Sequence, residues 1–352
     1  MARSPKPPQR VTQEQIAEQL GLSQFTVSHA LRGTDKVAPE TRAQIVAAAQ
    51  KLGYRVNVAA RATATGSTGT IALLRPDEDR AWWFPIDLFH GIESGVNNHH
   101  LRLLSARIAT ARLDDERFVP KILQELVADG VIVHCPMYTP PHLAEYLERY
   151  HIPAIWLNTL DAYDTVRPDD AGLTKVVVDH LISLGHQRFA FIVPQSHDAH
   201  WSSQARIDSF RAITAAAGLP DSPVITEQWS QDDGGIRSIQ TITNLLKKPH
   251  RPTALIGFGP GQIPIMRAAA VEAGLLIPSD LSLAVIGNCN DQFFNDPLAT
   301  TSGDINWIPM GERAVELLMK KILDPNTRFP AEAIPPKFHI GRTSATAPLT
   351  AT

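Results

Sequence analysis

The side chains best suited to a chemical task stand together near the start of the chain: Gln24, Phe25, Thr26, Ser28 and His29, with Arg32 one turn further on. Glutamine offers a donor and an acceptor side by side, which suits an adenine edge, and a phenylalanine ring can pack on a thymine methyl group. Hydroxyl, imidazole and guanidinium groups beside them can hold bases or phosphates. Such a row works only if a rigid element presents it, and the flanking residues describe one. Ser23 can cap a helix by accepting a first-turn N–H, and Val27, Ala30 and Leu31 fall on one face, leaving the polar row outward. Upstream, Thr12 and Gln15 have capping-box spacing, Ile16, Ala17 and Leu20 form an apolar face, and Gly21 can take the positive φ of a sharp turn. Two helices so joined are a helix-turn-helix, whose second helix can enter a DNA major groove. A helical hairpin in another small bundle would share these features.

A third helix is predicted next, with Pro39 at its first position, Ile45, Val46, Ala49 and Leu52 inside and Gly53 as its stop. Three helices make a minimal core. Charge points the same way. The chain of 352 residues is nearly balanced at −3, yet residues 1–66 carry nine Lys or Arg against four acids, leaving the remainder acidic. A basic module on an acidic body is expected where only one end approaches phosphates.

The length implies two or three domains, and 43% hydrophobic composition can fill a sizeable core. Cys135 and Cys289 lie far apart at the ends of apolar runs and read as buried thiols. No stretch is apolar and long enough to span a bilayer, and MARSPKPPQR lacks a signal-peptide core, so a cytoplasmic chain without a membrane partner is expected. For catalysis there is no GxSxG and no phosphate loop, and His99-His100 and His197 with His200 read as solvated. Neither an enzyme nor a cofactor is expected.

From Thr70 onward, apolar runs at 70–74, 101–108, 130–135, 153–158, 188–193, 223–226, 253–258 and 281–287 alternate with amphipathic stretches near 86–99, 114–129, 141–150, 172–185, 203–218, 233–248 and 261–274. This alternation means parallel sheets covered by helices, and a break at Thr159 to Asp169 suggests two doubly wound lobes. Ligands bind beyond the carboxyl ends of such strands, so two facing lobes would hold one between them.

Residues 11–54, with VT, IA, G, S, TVS, VAPETR and LGY in order, resemble the headpiece of the LacI/GalR family of bacterial transcription regulators. GIESG at 91–95, HLISLGHQRFAFI at 180–192 and IPSDLSLAVIG at 277–287 extend the resemblance. It implies an all-α headpiece followed by an α/β two-lobed body of the periplasmic-binding-protein type I fold. The chain would cross between lobes three times, Gly311 to Leu323 returning to the first and the segment ending near Gly341 to the second. The resulting divisions are a disordered arm (1–10), a DNA-binding domain (11–56), a hinge (57–66), an effector-binding and dimerisation body (67–342) and a disordered tail (343–352).

The implied function is a DNA-binding regulator, a repressor by family habit. Two copies would read a pseudo-palindromic double-stranded operator and respond to a small molecule, with a sugar the first expectation; further pairing of dimers stays open. The alternatives are a solute-binding protein of transport and a regulator that has lost sugar binding. Thr12, Ser23, Gln24, Phe25, Thr26, Ser28, His29 and Arg32 would face DNA. His29 stands where the family mostly has arginine. In the hinge, Asn57 and Ala60 match and Arg61 can reach phosphate, but Thr63 replaces the leucine that wedges between base steps and Val56 the usual proline.

For the effector, the resemblance places Arg206, in QARIDSF, as a guanidinium fork on hydroxyls or a carboxylate. A surface arginine paired with Asp208 is the other reading. Asp169 and Asp170 suit either helix capping or ligand contact. Trp82, Trp83 and Phe84 match a segment that stacks on effectors, and a core tryptophan is equally compatible. Phe258-Gly259 replaces the family's Asn-Asp, while Asn288, Cys289 and Asn290 follow the last apolar strand where an Asp pair is usual. The expected site includes Phe258, Asn288 and Asn290 but lacks strong hydroxyl acceptors, so the ligand would be unusual, more apolar or absent.

Overall fold

A computed structural model describes residues 11–77, 84–109, 112, 115, 117–125, 127–136, 139–194, 200–227, 235–289 and 299–349. Trp82, Trp83, His197, Asn290 and the predicted N-terminal arm lie outside the described residues, as does the Arg61 side chain. The chain divides into two compact units, Met1–Thr68 and Gly69–Thr352.

The first unit contains α1 (Gln13–Leu20), α2 (Gln24–Leu31), α3 (Pro39–Leu52) and α4 (Val58–Thr65). The predicted capping box forms at α1: the Gln15 N–H donates to Thr12 Oγ1 at 3.2 Å and the Thr12 N–H to Gln15 Oε1 at 2.9 Å. Such caps contribute about 1 kcal/mol. Gly21 and Gly53 close α1 and α3 in the left-handed conformation, where a Cβ would be strained. Ile16, Ala17, Val27, Ala30, Val37, Ile45, Ala48 and Ala49 form this unit's own core. Val46, expected inside, is exposed, and Ala48 is buried in its place. With Ile45 on the core face, the 100° step per residue turns Val46 away, and Ala48 at i+3 comes back under it.

The second unit carries β1 (Thr70–Pro76), α5 (Ile86–Asn98), β2 (Arg102–Ile108), α6 (Lys121–Gln124), β3 (Gly130–His134), α7 (Pro141–Arg149), β4 (Ala154–Leu157) and β5 (Thr165–Pro168). Then come α8 (Asp170–Ser183), β6 (Phe189–Val193), α9 (Trp201–Ala216), β7 (Val224–Thr226), α10 (Ile236–Leu246), β8 (Ala254–Gly257), α11 (Ile263–Glu272), β9 (Ser282–Ile286), β10 (Thr301–Asp304), α12 (Trp307–Leu323), β11 (Glu332–Ile334) and β12 (Lys337–His339). One sheet runs β11-β5-β4-β3-β1-β2 and the other β12-β10-β9-β8-β6-β7. All these pairings are parallel except β10 with β12. Strands buried on both faces explain the continuous apolar runs seen in the sequence.

The chain passes from the first sheet to the second after Pro168, returns with α12 and β11, and crosses again to β12, as the resemblance implied. Four expectations need correction. The break at Thr159 to Asp169 contains β5, so the crossing comes at its end. Four short strands, β5, β10, β11 and β12, were not legible, because TVRP, TSGD, EAI and KFH carry little apolar pattern and are fixed by pairing. Among the described residues of the helix expected at 114–129, only the single turn α6 is helical, starting after Pro120. The tail is ordered through residue 349: Thr343 is buried, its Oγ1 donating to Leu283 O at 2.7 Å, and the Ala347 N–H donates to Leu184 O at 2.9 Å. Composition suggested disorder there, but these small polar residues satisfy a sheet edge.

In the first lobe α5 and α12 cover one sheet face, with Leu88, Ile92, Val96, Met310, Ala314 and Leu318 in the core. Glycines let the two backbones meet. A Cβ on Gly311 would lie 2.6 Å from Leu88 O, and one on Gly91 would run into Ile308 O. No rotamer relieves a clash with backbone. Gly311→Ala is therefore expected to destabilise the body by about 1–3 kcal/mol while leaving the headpiece's unfolding unchanged. Denaturation followed by tryptophan fluorescence for the body, and by amide exchange for residues 13–52, checks both.

Candidate DNA-reading surface and ligand cleft

On the headpiece, Ser23 caps α2 by accepting the Thr26 N–H at 3.1 Å, and its hydroxyl bonds Thr26 Oγ1 at 2.8 Å. This fixes the start of α2, where Gln24 and Phe25 are exposed, Phe25 to 65%. An apolar ring so placed has no core role. Its centroid lies 4.2 Å from that of His29, whose Nδ1 bonds Thr34 Oγ1 at 2.9 Å, so the ring pair is braced from behind. Partial burial, with the charges of Arg32 and Lys36, holds the His29 imidazole below its ordinary range. It is thus a neutral group at physiological pH where an arginine would always be charged. Arg32 folds back on its own helix, Nη2 donating to Ser28 Oγ at 2.8 Å and Nε to Ser28 O at 3.2 Å.

The 57–66 segment is helical as α4. The Ala60 N–H donates to Asn57 Oδ1 at 3.3 Å, and Gly66 closes the helix at φ 72°. Ala60 and Thr63 are exposed.

In the body, the carboxyl ends of the two sheets approach each other. Asn158, just after β4, accepts from Trp201 Nε1 at the start of α9 at 3.3 Å. The guanidinium of Arg167 on β5 stands over the Trp201 ring at 5.8 Å. Within the second lobe Arg206 is buried, not on the surface. Its Nε donates to Asp170 Oδ1 at 2.5 Å, and its Nη1 to Phe258 O at 3.0 Å and Ile286 O at 2.9 Å. The Phe258 ring lies 4.4 Å from its guanidinium carbon. Asp208 is instead bonded by Gln204 at 2.7 Å, so the surface pairing is excluded. The expected two-armed fork is reduced to one arm, Nη2, because Nε and Nη1 pin α8, β8 and β9 together.

The two aspartates divide their roles. Asp169 caps α8, accepting the Gly172 N–H at 2.9 Å, while Asp170 pairs with Arg206 and keeps a buried Oδ2 without a partner. Burial pushes the Asp170 carboxyl up, and Arg206 opposes the shift. Asn288 is committed to the fold: its Nδ2 donates to Ile305 O at 2.9 Å and its Oδ1 accepts the Ile305 N–H at 3.0 Å. Phe84 stands edge-on to His134 with centroids 5.1 Å apart. His200, expected in solvent, is buried and caps α9 by accepting the Ser202 N–H at 3.1 Å.

The sequence reading missed Arg75, His134, Arg167 and Glu227. Each lies at or just beyond the carboxyl end of a strand, where ligands of such sheets bind, and that rule could have flagged them. Glu227 is buried, accepts from Gln262 Nε2 at 3.2 Å and has its carboxyl raised by burial.

A basic helix-turn-helix joined to a two-lobed parallel α/β body defines a ligand-responsive DNA-binding regulator. Residues 12–57 match the model of bacterial regulatory proteins of the lacI family, and residues 178–344 that of the periplasmic binding protein-like domain. The chain belongs to the LacI/GalR family of bacterial transcription regulators. It is 27% identical over 328 residues to the HTH-type transcriptional repressor PurR of Shigella sonnei (strain Ss046), covering 89% of this chain and 91% of that one. It resembles a LacI family transcriptional regulator from Mycobacterium smegmatis at 26% identity and TM-score 0.60, covering 78% of this chain and 99% of that one. The lac repressor dimer bound to operator and the anti-inducer ONPF has the same fold, at 18% identity and TM-score 0.73, covering 96% and 100%.

Two expected outcomes follow from this geometry. Thr63→Leu, by restoring an apolar wedge, should tighten operator binding and increase the DNA bend, whereas Thr63→Ala should change little, since threonine cannot unstack a base step. Gel mobility with the site at the middle or end of a fragment reads both. Arg206→Ala leaves the buried Asp170 unpaired and should cost the body about 3–5 kcal/mol. The loss should be larger at pH 8 than at pH 5. An unpaired buried carboxyl has its folded pKa raised, so its proton is retained at low pH and must be given up, at a cost, as pH rises. Urea unfolding at the two pH values measures it.

Proposed function

We propose that this chain is a sequence-specific transcriptional repressor whose paired headpieces read a pseudo-palindromic operator and whose body senses a small molecule between its lobes. The observation that carries the reading is the exposed Gln24 and Phe25, with half-buried His29 beside them, on a helix held by its own core. The alternative, a solute-binding protein, leaves the headpiece and its five excess positive charges without a role. The body supplies the sensing half: Arg206 keeps Nη2 outside the hydrogen bonds that hold its Nε and Nη1, Phe84 and Trp201 offer ring surface, and Asp170 offers an unpartnered carboxylate oxygen. PurR is named a transcriptional repressor, and the lac repressor was captured on operator with a small molecule; both support the reading by likeness.

Selection from randomised duplexes with the full-length protein tests it. The enriched sites should be two inverted half-sites with A·T pairs where Gln24 and Phe25 reach the groove. Phe25→Ala should relax the preference at its thymine, costing about 1–3 kcal/mol of discrimination. Half-sites with only G·C at those positions would refute the assignment of Gln24 and Phe25, and no enrichment at all would refute the function.

A further inference from the structure

We propose that the ligand sensed by the body carries a cationic nitrogen, as a protonated amine, amidine or guanidine, and that Glu227 receives it; this rests on the ligand-sensing reading above. Glu227 follows the last residue of β7, and its N–H donates to Val193 O at the end of β6 at 2.7 Å. It therefore stands at the carboxyl edge of the second sheet, the edge at which parallel sheets bind their ligands. Its side chain is buried, at 6% exposure.

One peptide unit ties this carboxylate to Arg206. The Gly259 N–H donates to Gln262 Oε1 at 2.8 Å, and the carbonyl of the same peptide, Phe258 O, accepts from Arg206 Nη1 at 3.0 Å. A backbone N–H can meet only the oxygen of a side-chain amide, so the Gln262 nitrogen is turned toward Glu227 and donates to Oε2 at 3.2 Å. That bond leaves Glu227 Oε1 buried and without a partner. Gly259 gives the turn after β8 no acid of its own, and Glu227 brings one to it from the end of β7. The expectation of a site poor in strong acceptors is corrected by this contact.

What Glu227 lacks is a counter-charge. Its one side-chain donor is a neutral amide, and among the described residues no Lys, Arg or His pairs with it. The cations of this region are held elsewhere: Arg206 by Asp170 at 2.5 Å, with Arg167 acting on the same aspartate, while Arg75 belongs to the other sheet and lies over Phe84. A buried carboxylate is costly unless a positive charge faces it, and burial raises the Glu227 carboxyl against the pull of the Gln262 N–H. Asp170 gives the contrast. It too keeps a buried oxygen, Oδ2, but Arg206 already balances its charge, so it calls only for a neutral donor. A polyol could bond Glu227 Oε1 and would leave the charge unmet. A cationic nitrogen supplies the N–H and the charge together.

The test uses the full-length protein and small organic cations as probes. Putrescine and agmatine are titrated at constant ionic strength, with 1,4-butanediol as the uncharged twin of putrescine and the thermal unfolding midpoint of the body as readout. At least one of the two amines should raise the midpoint saturably, and butanediol should not. Glu227→Gln keeps the shape and an acceptor but removes the charge. Without probe it should be at least as stable as the unaltered protein, since an unpaired buried carboxylate is gone, yet its apparent affinity for the amine should fall at least tenfold. No saturable effect of either amine, an equal effect of butanediol, or an amine effect unchanged in Glu227→Gln would overturn the proposal. Operator binding is measured on the same samples without probe. If it persists while the amine effects fail, only the cationic-nitrogen assignment falls, and if it is absent the regulator reading falls as well.

Discussion

The Arg206 guanidinium is the constraint on which the second lobe depends. It is buried and always charged, so the fold must surround it with acceptors, and it does so from three elements: Asp170 of α8, Phe258 O after β8 and Ile286 O of β9. Removing any acceptor leaves charge unbalanced in a low-dielectric interior. The same contacts fix the carboxyl ends of two adjacent strands, which is where a parallel sheet offers a ligand its backbone. On the proposed reading, structure and sensing would share one residue. A ligand that reaches Nη2 or Asp170 Oδ2 would touch a network already coupled to α8, β8 and β9, and a small displacement there has few ways to be absorbed.

The headpiece obeys a different economy. Its three main helices bury only small and medium side chains, chiefly alanine, valine and isoleucine. Capping at Thr12 and Ser23 and the turns at Gly21 and Gly53 set the register of α2, so the reading face is held by local geometry. Phe25 could have been buried in such a small unit, yet it stands in solvent beside His29, because the inward positions of α2 are taken by Val27 and Ala30. The exposed aromatic ring is the cost of a surface kept for a partner.

Much of this was legible beforehand, and the failures have common physical causes. Helix caps and sharp turns are encoded within three or four residues, so α1 to α3 followed directly from Thr12, Gly21, Ser23, Pro39 and Gly53. Strands buried on both faces announce themselves as apolar runs, so β1, β3, β4, β6, β8 and β9 were readable, and the more exposed β2 and β7 showed through their leucine, isoleucine and valine residues. β5, β10, β11 and β12 were not, since each is short, polar in part and dictated by a partner distant in sequence. The ordered tail shows the same limit: Thr343 and Ala345 look like linker residues until Leu283 and Ser282 are beside them. At the site, Arg206 was visible only through the family resemblance, and its commitment to Asp170 was invisible, as the two are 36 positions apart. Arg75 and His134 drew no notice because each closes an ordinary apolar strand.

The central claim is that two copies of this chain read one symmetric DNA site. It is tested most directly by counting the chains bound per selected duplex in sedimentation equilibrium. The account requires two chains per duplex and an affinity that falls steeply with salt, as expected when both headpieces neutralise phosphates. One chain per duplex, or a complex insensitive to salt, would contradict it.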